Sequence, residues 1–152
     1  MKKLSDCRVL LKLHATPEEV IRAVQTFQEF ARQQGVTPRD AFELALALEE
    51  SASNIVNHAY HRDSGHVFRV SFERTASRVT LELRDNGPKF NPTLASSPSS
   101  FAGADDHRPP GGWGIQLVRR YMDEIRYRRE QGQNILVLTK RLALSTPGSG
   151  QD

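Results

Sequence analysis

Apolar residues recur along this chain with two different periods, and the switches between them mark its elements. Residues 7–13 (CRVLLKL) alternate in part, which predicts a short strand. Thr16-Pro17-Glu18-Glu19 then opens a helix with a capping box and a proline in the first turn. Val20, Ile21, Val24, Phe27 and Ala31 form its apolar stripe, and Gly35 is its natural stop. Thr37-Pro38-Arg39-Asp40 repeats the start signal, and the second helix is expected to run to about Tyr60. Residues 66–75 and 78–84 alternate β-branched and aromatic positions with polar ones, the pattern of an antiparallel hairpin turning at Ala76-Ser77. Residues 93–110 have neither period and read as a long loop. Helical spacing returns at Ile115, Val118 and Met122, and residues 126–141 read as two strands turning at Gln131-Gly132-Gln133.

The order strand, helix, helix, strand, strand, lid, helix, strand, strand predicts a two-layer α+β sandwich. About three helices would cover one face of a mixed, mostly antiparallel sheet. At 152 residues the chain is one domain, expected over 1–144 with a lid at about 93–110 and an unstructured tail over 145–152. With 38% hydrophobic and 26% charged residues it has the makeup of a domain that folds alone. A net charge of +3 with no lysine run falls short of a nucleic-acid footprint. The single cysteine, Cys7, can close no internal disulfide and suggests no zinc site, so a reducing cytoplasm is expected. No apolar run reaches the roughly 18 residues of a membrane span, and MKKLSDCRVLLKLHA lacks the features of a secretory signal.

Three stretches carry candidate chemistry. On the second helix Ala41, Leu44, Ala45, Leu48, Ala52, Ile55, Val56 and Ala59 gather on one side, with Glu43, Glu50, Asn54, Asn57 and His58 opposite. A solvated face would explain that pattern, but asparagine is a poor helix former and two stand in this interior. Glu50 and Asn54, at i and i+4, put a proton acceptor beside an amide oxygen suited to a hard cation. His58 is open to a capping or packing role as well as a ligand role. Asp85-Asn86-Gly87-Pro88 ends a strand; it is turn chemistry, or else a fixed carboxylate that accepts from an adenine amino group, with glycine beside it to admit a flat ring. Phe90 would wall such a pocket or join the core. Gly111-Gly112-Trp113-Gly114-Ile115 is a glycine-rich loop opening a helix, where backbone N–H groups suit phosphate. The Walker pattern is absent.

In this order, with a lid between the second and third, the three stretches resemble the ATP site of the gyrase, heat-shock-chaperone, histidine-kinase and mismatch-repair ATPase superfamily, which has the Bergerat fold. More narrowly, LALEESASNIVNHAY, RDNGPKFNP and GGWGIQLVRRYMDEIRYRREQGQNILVLTKRL resemble the asparagine box and the two glycine boxes of bacterial anti-sigma-factor serine/threonine kinases. The likeness spans roughly residues 8 to 142. It implies Glu50 as general base toward a substrate serine and Asn54 as ligand of the magnesium that bridges the phosphates of ATP. It further implies a nucleotide site of Asn54, Asn57, His58, Asp85, Gly87 and Phe90, the loop of Gly111, Gly112, Trp113, Gly114 and Ile115, and Thr139 supporting the adenine end.

As partners it implies a sigma factor, a STAS-domain anti-anti-sigma protein phosphorylated on serine, an opposing PPM-type phosphatase and a second copy in a homodimer, with no direct nucleic acid or membrane contact. Family members often carry an acidic residue and an arginine just before the glycines; here Pro109 and Pro110 stand there, with Arg108 behind them. Two alternatives follow: an ATP-dependent binding switch without phosphate transfer, and a detached catalytic module of a histidine kinase.

Overall fold

The computed structural model describes residues 7–59, 65–94 and 114–142. Its elements are β1 (Cys7–His14), α1 (Pro17–Gln33), α2 (Pro38–Asn54), β2 (Val67–Arg74), β3 (Arg78–Asp85), α3 (Gly114–Tyr121), β4 (Glu124–Glu130) and β5 (Gln133–Arg141). Of the lid expected at about 93–110, Thr93 and Leu94 belong to a short 3₁₀ turn, Pro92–Leu94, and the rest lies outside the described residues, as does the tail expected over 145–152.

Five strands pair in the order β1-β2-β3-β5-β4, every neighbour antiparallel. The expectation of a mixed sheet is corrected here. Strands β3 and β4 do run parallel through the α3 crossover, but β5 slots between them and bonds to both. The last hairpin needs only two turn residues, because Gln131 (φ 52°) and Gly132 (φ 78°) both take left-handed conformations that match the twist of the flanking strands.

Alternation along each strand sends one set of side chains to the helices. Leu13 meets Phe68, Val70 meets Leu83, and Leu81 meets Leu138 across the ladders; all six residues are buried. Helix α1 seats Phe27 against this face, edge-on to Phe72 with ring centroids 5.2 Å apart. Thr16 caps α1 by accepting from the Glu19 N–H at 3.2 Å. The reciprocal half of the capping box is redirected: the Glu19 carboxylate accepts from the His14 N–H at 3.1 Å and pairs with Arg22 at 2.7 Å, tying helix to strand.

Helix α2 lies between α1 and α3 and buries Ala47 and Ser51 besides the expected stripe, because it has neighbours on both flanks. Its start is held to β5 by Lys140, which contacts Glu43 at 2.7 Å and donates to the Tyr121 carbonyl at 3.0 Å. Glu43, grouped by sequence with the polar face of the candidate site, is therefore a structural ion-pair partner, and Lys140 holds its carboxyl below the usual range.

Truncating Phe27 to Ala should lower unfolding free energy by about 3–5 kcal/mol in a denaturant titration. The Arg22 contact lowers the Glu19 carboxyl from 4.5 to about 2. Its stabilisation is therefore complete above pH 4.5 and lost as pH falls toward 2. Melting temperatures across that window should fall less for Glu19→Gln than for the parent chain.

Candidate nucleotide site

At Asn54 the α-helical bonding of α2 gives way to a wider π turn, Ile55–Ala59. Such turns relieve a helix end by shifting the side chains that follow, and they concentrate at functional sites. The helix expected to run to about Tyr60 is thus α-helical only to Asn54, and Tyr60 lies outside the described residues. Asn57 is exposed on this turn and does not line the cleft, and the side chain of His58 lies outside the described residues.

Asn54 opens onto a cleft between α2 and the Asp85 end of the sheet. Ser51, Asn54, Ile55, Asp85, Phe90, Pro92, Tyr127, Asn134 and Leu136 line it, enclosing about 410 Å³ including its open mouth. One polar helix face, one carboxylate and one ring, drawn from two separate stretches of sequence, therefore meet at a single place. Phe90, 44% exposed, belongs to the wall and not to the core.

Asp85 is the last residue of β3 and only 6% exposed. Its Oδ1 accepts from the Gly87 N–H at 2.8 Å, an Asx turn that seats the buried glycine beside it, and from Asn134 Nδ2 at 2.9 Å. Asn134, directly opposite on β5, was not among the expected site residues. Thr139, which was, is placed differently: it pairs with Thr80 and Glu124. It lies five residues along β5 from Asn134, about 17 Å by the strand rise, so it faces the other side of the sheet and is not in the cleft lining. The residue that supports the Asp85 end is Asn134. Its signal in the sequence was the Gly-x-Asn turn, which puts an asparagine at the start of β5 opposite the end of β3.

Glu50 is half-buried one helical turn before Asn54, and its Oε1 is the one fully buried side-chain polar atom among the described residues without a hydrogen-bond partner. Burial pushes its carboxyl above the usual range, and the neighbouring Glu49 charge adds to the effect. Such an atom carries an uncompensated desolvation cost unless something else binds it.

Ile115 was expected at the nucleotide; its side chain is 5% exposed and packs in the core, anchoring α3. Gly114 begins that helix, while Gly111, Gly112 and Trp113 lie outside the described residues. Arg119 of α3 donates to the Thr93 carbonyl, binding the helix to the turn that follows the Asp85 loop.

A profile of the histidine kinase-like ATPase domain matches residues 13–140. The chain belongs to the histidine kinase-like ATPase family. Among curated members, the serine/threonine-protein kinase BtrW of Bordetella bronchiseptica is 32% identical over 88% of this chain and 93% of its own length. The serine-protein kinase RsbW of Bacillus mycoides is 29% identical over 86% and 82%. Of solved structures, the RsbU and RsbW domains of a Mycobacterium tuberculosis protein superpose with a TM-score of 0.65 at 20% identity, over 90% of this chain and 32% of that one. The SiaB–SiaC complex of Pseudomonas aeruginosa gives 0.61 at 11% identity, over 88% of this chain and 89% of that one. These likenesses agree with the α+β architecture of an ATPase of this family. No described helix is long and apolar enough to cross a membrane.

Replacing Glu50 by Gln removes a carboxylate whose charged form the folded state disfavours. Because the folded-state value is raised, wild-type stability declines as pH rises from the ordinary carboxylate value through the folded one. Glu50→Gln should therefore melt higher than wild type at neutral pH, the gap closing in acid.

Proposed function

We propose that this chain is an ATP- and magnesium-dependent protein serine kinase. The observation that carries the reading is Glu50 one helical turn before Asn54, which lines the Asp85 cleft, with a Glu50 oxygen buried and left without a protein partner. A carboxylate raised by burial is suited to accept a proton near neutral pH. The proton acceptor and the nucleotide cleft are thus on one element, a helical turn apart.

Asp85 accepts a hydrogen bond from the adenine amino group, Gly87 leaves room beside it, and Phe90 walls the ring. Asn54 offers its amide oxygen to magnesium. The donor fits that ion: the Asn54 amide is a neutral, hard oxygen ligand in the wall of the cleft. Magnesium commonly binds through one or two protein ligands and substrate phosphates. When bound, Mg-ATP supplies the phosphoryl group and the positive charge that offsets its own anionic oxygens. Glu50 takes the proton from the substrate serine hydroxyl. The glycines Gly111, Gly112 and Gly114 hold the phosphates through backbone N–H groups. The remaining contribution of the protein is orientation.

The named activities of BtrW and RsbW support a protein kinase, and the SiaB–SiaC structure supports a protein partner. In this reading the substrate is a STAS-domain anti-anti-sigma protein, the chain also sequesters a sigma factor as a homodimer in the cytoplasm, and a PPM-type phosphatase opposes it.

The test is incubation with labelled Mg-ATP and a STAS protein from the same host. Wild type should place phosphate on serine, and Glu50→Ala should transfer about 10²–10⁴-fold more slowly with ATP binding nearly intact. Undiminished transfer by that variant would remove Glu50 from the base role. ATP binding with no transfer by wild type would replace the kinase with a binding switch, as Pro109 and Pro110 allow, and phosphohistidine on a partner would point to a histidine-kinase module.

A further inference from the structure

The hydrogen bonds at the inner end of the cleft converge on Asn134, a side chain 5% exposed. Its Nδ2 donates to Asp85 Oδ1 and to the Pro88 carbonyl, both at 2.9 Å. Its Oδ1 accepts from the Tyr127 hydroxyl at 2.5 Å, the Arg129 guanidinium at 3.1 Å and the Phe90 N–H at 3.3 Å. An amide can be turned end for end, and these donors decide the matter: reversed, the NH₂ group would face three donors and the amide oxygen would face a carboxylate. Tyr127 and Arg129 lie two residues apart on one face of β4, the edge strand, and reach to the neighbouring β5 to fix the amide. Arg129 also donates to the Gly87 carbonyl at 2.8 Å, so the loop beside Asp85 is tied to the same strand.

The consequence falls on Asp85. Its Oδ1 is occupied twice, by Asn134 Nδ2 and the Gly87 N–H, while no described residue bonds Oδ2. We infer that Asn134 is a positioning residue that sets purine selectivity: by holding Oδ1 it presents Oδ2 alone to the ligand, as a fixed acceptor. A 6-amino group donates to such an oxygen. A 6-oxo group sets its own oxygen against it, and the clamp denies the carboxyl the rotation that would relieve the clash. Nucleotide discrimination therefore depends on β4 and β5, strands that do not carry the acceptor itself.

This inference rests on the ATP reading above, and one titration separates the two. ATP and GTP binding are measured by calorimetry on the intact chain and on Asn134→Leu, Asn134→Thr and Tyr127→Phe, with thermal melts of each. Wild type should prefer ATP by about a hundred-fold or more. Asn134→Leu, with the same branching but no donor, should bind ATP roughly ten-fold more weakly and lose most of the preference. Asn134→Thr, which restores a hydroxyl donor, should regain much of it. Tyr127→Phe leaves Asn134 in place and frees one bond to its oxygen, so it should lower the ratio by roughly three-fold, a test that survives if the leucine variant fails to fold. In the transfer assay Asn134→Thr and Tyr127→Phe should raise KM for ATP and leave kcat unchanged. A folded Asn134→Leu with wild-type selectivity, a threonine variant no better than leucine, or a Tyr127→Phe ratio equal to wild type would each overturn the positioning role while leaving ATP binding standing. Failure of wild type to bind ATP would overturn both.

Discussion

The burial of α2 is the constraint on which the rest of this molecule depends. Leu44, Ala47, Leu48 and Ala52 are at most 1% exposed, and the helix has α1 and α3 on its flanks and the sheet beneath it. A helix held on three sides has no freedom to roll, so the direction of its remaining face is set by the core. Glu50 and Asn54 lie on that face. The Lys140 contact to Glu43 fixes the other end of the same helix to β5. Because both ion-pair partners are largely shielded, it loses less to solvent than the exposed pairs along α1. The direction in which α2 presents Asn54 to the cleft is thus a property of the core and not of a loop.

That rigidity carries a cost at Glu50. Folding leaves one of its oxygens buried and without a hydrogen-bond partner in the protein, a local destabilisation the core has to offset. Asp85 is the contrast. It is more deeply buried, yet its Oδ1 has two donors and its neighbours are tied down by Asn134 and Arg129. Asp85 in the cleft and Glu50 a helical turn before the cleft-lining Asn54 are treated in opposite ways, one satisfied and oriented, the other left with unmet demand. The first arrangement suits recognition and the second suits proton transfer.

The local elements were legible because each rests on short-range physics. The threonine-proline starts, the stop at Gly35 and the alternation in the strands all depend on residues within a turn or two of each other. The pairing of Glu50 with Asn54, and the presence of Asp85 at a strand end, were legible for the same reason. What escaped was set across distance. No periodicity shows that β5 inserts between β3 and β4, so neither the wholly antiparallel sheet nor the register that puts Asn134 beside Asp85 could be read. Thr139 was misplaced by that same gap: a polar residue near the end of the last strand has no legible face until the register is known. Tyr127 and Arg129 looked like ordinary members of an arginine-rich strand, because their partner comes from the next strand. The π turn after Asn54 was missed because a helical pattern does not distinguish four-residue from five-residue bonding.

The place of β5 also bears on the order in which the molecule is made. It is the last of the five strands along the chain and an inner one in the sheet, bonded on both sides. While the chain is being synthesised, β3 and β4 each wait with an open edge, exposed to pairing with a neighbouring chain. Asp85 meanwhile lacks a partner that lies 49 residues later. Closing those ladders is a long-range step, slow by comparison with helix formation. Completion of the sheet and completion of the cleft are therefore one event, and a partly made chain has no half-built binding site to offer.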